Sequence, residues 1–308
     1  GTNNGIYKLN PVTNRFGKVE GSSGQTGNFL VNGKDLLVSG AERGLIKLEG
    51  NKGIAVIPGI NYDFHLRSIL RSKLDTTVLI CALRSGLAIV RYSPLTGGYA
   101  VESFAPILNL GIGLISETPD GNLWLSGEGI GEVKLVKPDR SSGKWLLNEN
   151  AVEVFDSRQG LPRKNITILE YEGSVYFAAE ADSVFVFDEG LKRFIRDTGV
   201  ILNKQFVYNA DYTLLGITDP RGRIWANFGR GVFVAIPAAG GKHKIVNAPF
   251  KELKRNYPIW DIALSAGSKG EVVAWMSGRE GIIRYDGNLD ESVQDPFSCI
   301  LRGITLNE

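Results

Sequence analysis

The side chains best able to do chemistry in this sequence are charged, and they recur at a fixed offset from apolar anchors. Four residues past Val38, Ile80, Trp124, Tyr176, Trp225 and Trp275 stand Glu42, Arg84, Glu128, Glu180, Gly229 and Arg279; five past stand Arg43, Ser85, Gly129, Ala181, Arg230 and Glu280. Carboxylates and guanidiniums gathered around one concave opening suit a small polar ligand, a glycan or a peptide. The competing reading is solvated loop charge, or pairs between neighbouring loops that stabilise little. Trp260 and Asp261, at the start of a predicted inner strand, complete the candidate ligand-binding set; Asn165 and His65 stand near equivalent starts.

Catalysis has less behind it. Glu128 and Glu180 are the carboxylates that would face each other as a glycosidase pair, which keeps a polysaccharide lyase or hydrolase as the alternative function. His65 and His243 are the only histidines, and neither has a ligand-type partner two or four residues on, so no metal is expected. The Gly127 to Gly131 stretch lies between two strands and not between a strand and a helix, so it is no phosphate loop, and no cofactor is expected. Trp124, Trp225 and Trp275 recur in register with aliphatic Val38 and Ile80 and are read as packing residues rather than sugar platforms. Trp145, off that register, is a candidate exposed contact.

What must position these residues is a repeat. Asp120-Gly121-Asn122-Leu123-Trp124-Leu125-Ser126-Gly127 is its clearest copy; Asp219 to Trp225, Lys269 to Gly278 and Glu172 to Phe177 are others, with degenerate copies around Val38 and Ile80. The anchors are 42, 44, 52, 49 and 50 residues apart, the length of four short strands and their turns. The apolar runs are short, β-branched and aromatic, and bounded by Gly and Asp, which predicts strands rather than a helical solenoid. One blade is predicted strand by strand: 166–170, 174–178, 184–187 and 192–195. The third has a longer outer connection, Lys137 to Asn150, which accounts for the 52-residue spacing.

The prediction is therefore an all-β chain: a β-propeller of four-stranded blades over residues 1–296, with a partial blade at 1–20 and six complete repeats at 21–296. A seventh blade is expected in the parent protein. Gly1 to Leu9 matches the loop and third strand of a blade whose first half is missing. Residues 297–308 leave the pattern after Asp295-Pro296 and are expected to be the first strand of a following domain.

Bulk properties agree. Hydrophobic residues are 43% and charged residues 22%, enough for a large core, and 38 glycines imply many turns. With 35 basic and 33 acidic residues the net charge is +2, which argues against nucleic acid and anionic membrane as partners. No apolar run is long enough to span a membrane. Cys81 and Cys299 each lie in an apolar run and are read as buried free thiols, with a disulfide between them as the alternative.

Gly160-Leu161-Pro162, Asn165 opening a strand, the Asp-x-x-Gly turn with Leu-Trp, and the run Gly281-Ile282-Ile283-Arg284-Tyr285-Asp286 together resemble the two-component regulator propeller repeat. Gly1-Thr2-Asn3-Asn4-Gly5-Ile6-Tyr7-Lys8-Leu9 is similar to the end of one such repeat, and Phe297 to Asn307 to the start of the β-sandwich that follows such propellers. The resemblance implies a periplasmic sensor region, joined through a β-sandwich and a membrane helix to a histidine kinase or a diguanylate cyclase; in gut bacteria many such proteins recognise glycan fragments. It implies no enzyme activity for this segment. Neighbouring domains of the same protein, and a second copy in a homodimer, are its expected partners beside the ligand. A protein-docking scaffold is the remaining alternative.

Overall fold

The computed structural model describes residues 1, 4–10, 12–13, 15–24, 26–40, 44–57, 66–83, 86–106, 112–127, 131–148, 151–163, 165–171, 173–179, 183–197, 215–228, 231–239, 242–246, 250, 259–266, 271–278 and 281–285. They are almost wholly strand and turn. β1 (Tyr7–Asn10) and β2 (Arg15–Lys18) pair as a two-stranded sheet. Sheets with strands in chain order follow: β3 (Thr26–Asn32) to β6 (Lys52–Ala55) through β4 (Asp35–Gly40) and β5 (Gly44–Glu49); then β7 (Leu66–Arg71), β8 (Val78–Leu83), β9 (Gly86–Ser93) and β10 (Gly98–Pro106). The third is β11 (Ile112–Glu117), β12 (Leu123–Gly127), β13 (Val133–Val136) and β14 (Val152–Phe155); the fourth is β15 (Ile166–Tyr171), β16 (Ser174–Ala179), β17 (Ser183–Asp188) and β18 (Arg193–Arg196). The fifth is β19 (Leu215–Thr218), β20 (Ile224–Phe228), β21 (Gly231–Ala238) and β22 (Lys242–Val246); the sixth shows β23 (Ile259–Ala266), β24 (Val272–Gly278) and β25 (Gly281–Tyr285) among the described residues. These up-and-down antiparallel sheets are the blades of a β-propeller. The chain forms two compact units, Gly1–Val175 and Tyr176–Glu308.

A blade in the middle of a stack is covered on both faces, so its central strands need not alternate apolar with polar. The sequence of β8, VLICAL, is buried at every position, and so are the first five residues of β9. Outer strands revert to alternation: in β18, Arg-Phe-Ile-Arg, only Phe194 is buried, edge-on to Phe177 at 4.8 Å. In the first unit, Leu37, Leu45, Leu79, Cys81, Leu83, Ala88 and Val90 fill one core layer. Val78, Ile80, Leu87, Ile89, Leu123, Leu125 and Val136 fill the next. In the second unit Trp225, Val232, Val234 and Phe250 pack on Ile259, Ile262, Ala274 and Met276. Each fully buried Val, Leu, Ile, Phe or Met among them contributes about 1.5–3 kcal/mol.

Packing of the anchors is as expected for Trp124, Trp225 and Tyr176, all buried, and needs correction elsewhere. Ile80 faces the layer that contains Leu123, but Val38 faces the opposite side, against Ile6 and Val19. Leu37 holds the anchor face of that blade. The tight pairing Asn32↔Asp35 leaves only Gly33 and Lys34 in the turn, and a one-residue slip of register turns every side chain to the other face. Trp275 lies on the face of β24 opposite Ala274 and Met276 and is 38% exposed, its indole N–H donating to Ser265 Oγ at 3.0 Å. Trp145, expected to be an exposed contact, is only 4% exposed. It belongs to the layer between the second and third sheets.

Candidate functional site

Each blade has two ends, and register separates them. In the second sheet Leu66 pairs with Leu83, and Leu83 with Gly86, so the start of the inner strand and the β8–β9 connection share one end. The same holds in the sixth, where Ile259 pairs with Gly278 and Gly278 with Gly281. At this end, among the described residues, inner strands carry register shifts between Thr26 and Phe29, Leu66 and Ser68, Ile112 and Leu114, and Ile259 and Asp261. An extra residue on one strand bends it and re-aims its side chains, a device common beside functional sites. The sequence pattern gave no sign of these bulges.

Glu42, Arg43, Arg84, Glu128, Glu180, Arg230, Arg279 and Glu280 lie outside the described residues, as does His65. Trp260 is the residue at the shift in β23, and Asp261 pairs with Ser277. Asn165, immediately before β15, is exposed. Lys134, which sequence reasoning missed, is buried in β13, paired with Leu125 and Val154 and three positions beyond Gly131. Burial pushes its ammonium below its ordinary value, with Glu132 opposing weakly. Its signal was available: a lysine inside the apolar run Val-Lys-Leu-Val. A perturbed lysine beside candidate loops is a functional-site pointer.

The opposite, turn end is held by well-satisfied polar groups. The Glu117 carboxylate, fully buried at the end of β11, accepts from Ser72 Oγ at 2.7 Å and from the Lys73 N–H at 2.6 Å. Lys73 Nζ donates to the Glu117 carbonyl at 3.0 Å and pairs with Glu170 at 2.5 Å. Inner strands β7, β11 and β15 are thus tied together by one lysine. In the turn before β20, Asp219 accepts from the backbone N–H of Arg221 and Arg223, from Arg223 Nε at 2.6 Å and from Trp225 Nε1 at 3.0 Å. Burial pushes its carboxyl up, but the donors from Trp225 and Arg223 outweigh it and hold it below the ordinary value. Thr118 occupies the same place before β12: Gly121 N donates to its carbonyl as Gly222 N does to that of Asp219. Gly121 and Gly222 take φ of 77° and 74°, so the turn needs glycine there. The counterpart of Asp219 is therefore Thr118.

The Gly160-Leu161-Pro162 motif is likewise structural. Asp156 caps the 3-10 turn Ser157–Gln159 in a capping box with Gln159, Gly160 closes it in the left-handed region at φ 97°, and Leu161 is buried. On the outer side of the second sheet, Arg91 bridges Asp75 (2.5 Å) and Glu102 (2.8 Å). Glu102, at the shift in β10, also accepts from the Trp145 N–H at 2.6 Å. Arg91 first, then the Trp145 amide, holds the Glu102 carboxyl below its ordinary value. Burial raises the Cys81 thiol to about 12, so it is an inert core group. Among the described residues no cluster of His, Cys, Asp and Glu is suited to a metal ion, and no helix is long and apolar enough to cross a membrane.

No protein-family profile matches the sequence, and no curated protein matches it. Solved structures match the fold. The extracellular domain of BT4673 from B. thetaiotaomicron, described as a hybrid two-component system, aligns with 90% of this chain at 17% identity and a TM-score of 0.57. The chain spans about a third of that domain's length, 33%. Virginiamycin B lyase from Staphylococcus aureus aligns with 84% of this chain and 80% of its own at 12% identity and a TM-score of 0.55. PorZ, a surface component of the type-IX secretion system of Porphyromonas gingivalis, aligns with 88% of this chain and 39% of its own at 15% identity and a TM-score of 0.57. At these identities the likeness establishes the β-propeller fold and nothing finer.

Proposed function

We propose that this chain is the extracytoplasmic, periplasmic sensor module of a two-component-type signalling protein, and that it binds a polar ligand such as a glycan fragment at the loop ends of its blades. The observation that carries the reading is the coincidence of the repeat resemblance with the fold likeness to a two-component extracellular domain over 90% of the chain. The charged loop residues Glu42, Arg43, Arg84, Glu128, Glu180, Arg230, Arg279 and Glu280, with Trp260 and Asp261, are the proposed contacts. Neighbouring domains of the same protein receive the signal, and a homodimer is the expected assembly. A ligand biases signalling only through unequal affinity for the two signalling states.

A thermal-shift panel of glycan fragments tests the proposal. At a ligand concentration about a hundredfold above Kd, binding stabilises the fold by about 2.7 kcal/mol, a readily measured rise in Tm. The competing reading is a polysaccharide-acting enzyme; the fold it would use also occurs in a lyase. Product formation from a bound glycan that disappears in Glu128→Gln or Glu180→Gln would establish that alternative and defeat the sensor reading for this segment.

A further inference from the structure

Register fixes the face of β13 on which Lys134 lies. In the third sheet Leu123, Val136 and Val152 form one cross-strand row, and Leu125, Lys134 and Val154 form the next, nearer the loop end. Residues paired directly across a sheet share a face. Leu123, Leu125 and Val136 belong to the core layer shared with the second sheet, so Lys134 lies on the side of β13 that packs there. In the second sheet the row of that layer nearest the loop end is Ala82, Leu87 and Ala105, whereas the row before it carries Ile80 and Ile89. Two alanines in place of branched side chains accommodate an aliphatic lysine stem.

Lys134 is 6% exposed, and Val154 beside it is 44% exposed. Glu132, half-buried two positions earlier, acts on the lysine electrostatically. Burial holds the ammonium below its ordinary value, because the charged form is poorly solvated there. A negative charge brought beside it regains what solvation lost, and the attraction in that setting exceeds its value in water. Glu132 sets the kind of anion: its carboxylate repels a dianion but accepts from sugar hydroxyls. Val154 offers apolar surface to the C–H face of a sugar ring.

We propose that Lys134 binds the carboxylate of a uronic-acid unit in a glycan fragment, at the loop end between the second and third sheets, with Glu132 accepting from the hydroxyls of that unit. The inference rests on the ligand-binding function proposed above and deepens it by naming an acidic sugar as the ligand class. Neither residue belongs to the charged loop set assigned there.

Isothermal titration of the whole chain tests the proposal with trigalacturonate and triglucuronate, the methyl ester of each, and neutral galactotriose and cellotriose. In wild type an acid form should bind at least about tenfold more tightly than its ester. Lys134→Met keeps an unbranched apolar stem and removes the charge; it should abolish that difference and leave ester binding unchanged. Glu132→Ala, a second variant, should weaken the ester by about threefold or more. Equal affinity of wild type for acid and ester overturns the proposal, as does full affinity for the acid in Lys134→Met. Binding of a neutral trisaccharide but of neither acid also overturns it and leaves the sensor reading standing. A blank result with all of these probes and with the thermal-shift panel defeats both.

Discussion

At the residue scale, the most informative side chains are buried carboxylates that sequence reading did not single out. Asp219 and Glu117 each accept several donors at the turn end of a blade. Removing such an acceptor leaves its donors buried and unpaired. Asp219→Ala is expected to lower stability by about 3 kcal/mol and to redshift the Trp225 emission, measured by urea unfolding followed by fluorescence. The pH dependence has a definite sign. The folded Asp219 carboxyl titrates below its ordinary 3.8, so its contribution is complete above that value and is lost as pH falls through the lower folded value. Asp219→Asn should flatten the acid limb of the stability curve. The repeat, aligned on Trp124 and Trp225, sets Thr118 against Asp219. Only the backbone bonds reveal that a hydroxyl and a carboxylate hold the same turn.

At the element scale, strand prediction succeeded where apolar runs were bounded by glycine. The fourth blade, predicted at 166–170, 174–178, 184–187 and 192–195, is observed within one residue at each boundary. The long connection after β13 was legible as an insertion, but its docking was not. A period describes what repeats, and Trp145 packs through an interaction that occurs once. Asp139 and Leu146 bridge as a short hairpin, Trp145 enters the layer beneath β10, and Arg140 lies over its ring at 5.2 Å. Trp145→Ala is expected to cost about 3–5 kcal/mol, read as a lowered urea midpoint. Arg91→Ala should cost about 2 kcal/mol near neutral pH by stranding Asp75 and Glu102. Both carboxyls titrate below their ordinary values when folded. The contribution of the network is therefore complete above those ordinary values and is lost as pH falls through the lower folded ones, so wild type and Arg91→Ala should converge in strong acid.

At the scale of the whole molecule, composition and period were enough to predict a propeller, because a repeating unit that cannot bury its faces alone must stack. The function was less legible, because the residues at the recurring loop offsets change in sign and type from blade to blade, and the same turn chemistry serves any propeller. The two ends of the blades carry different burdens. Turn ends hold structural bonds, whereas the proposed function assigns ligand contact to the loop ends. Variants should separate these roles. Arg84→Ala, Arg230→Ala and Arg279→Ala combined should lower affinity for the ligand found in the thermal-shift panel by at least about tenfold, or about 1.4 kcal/mol, with Tm nearly unchanged. Glu117→Ala, at the turn end, should do the reverse: it lowers Tm by several degrees, and in isothermal titration below that Tm the Kd stays within about twofold. Isothermal titration and scanning calorimetry on the same preparations read both quantities. Full affinity retained in the triple variant would remove the charged loop set from the binding site and leave Trp260 and Asp261 as the contacts to test.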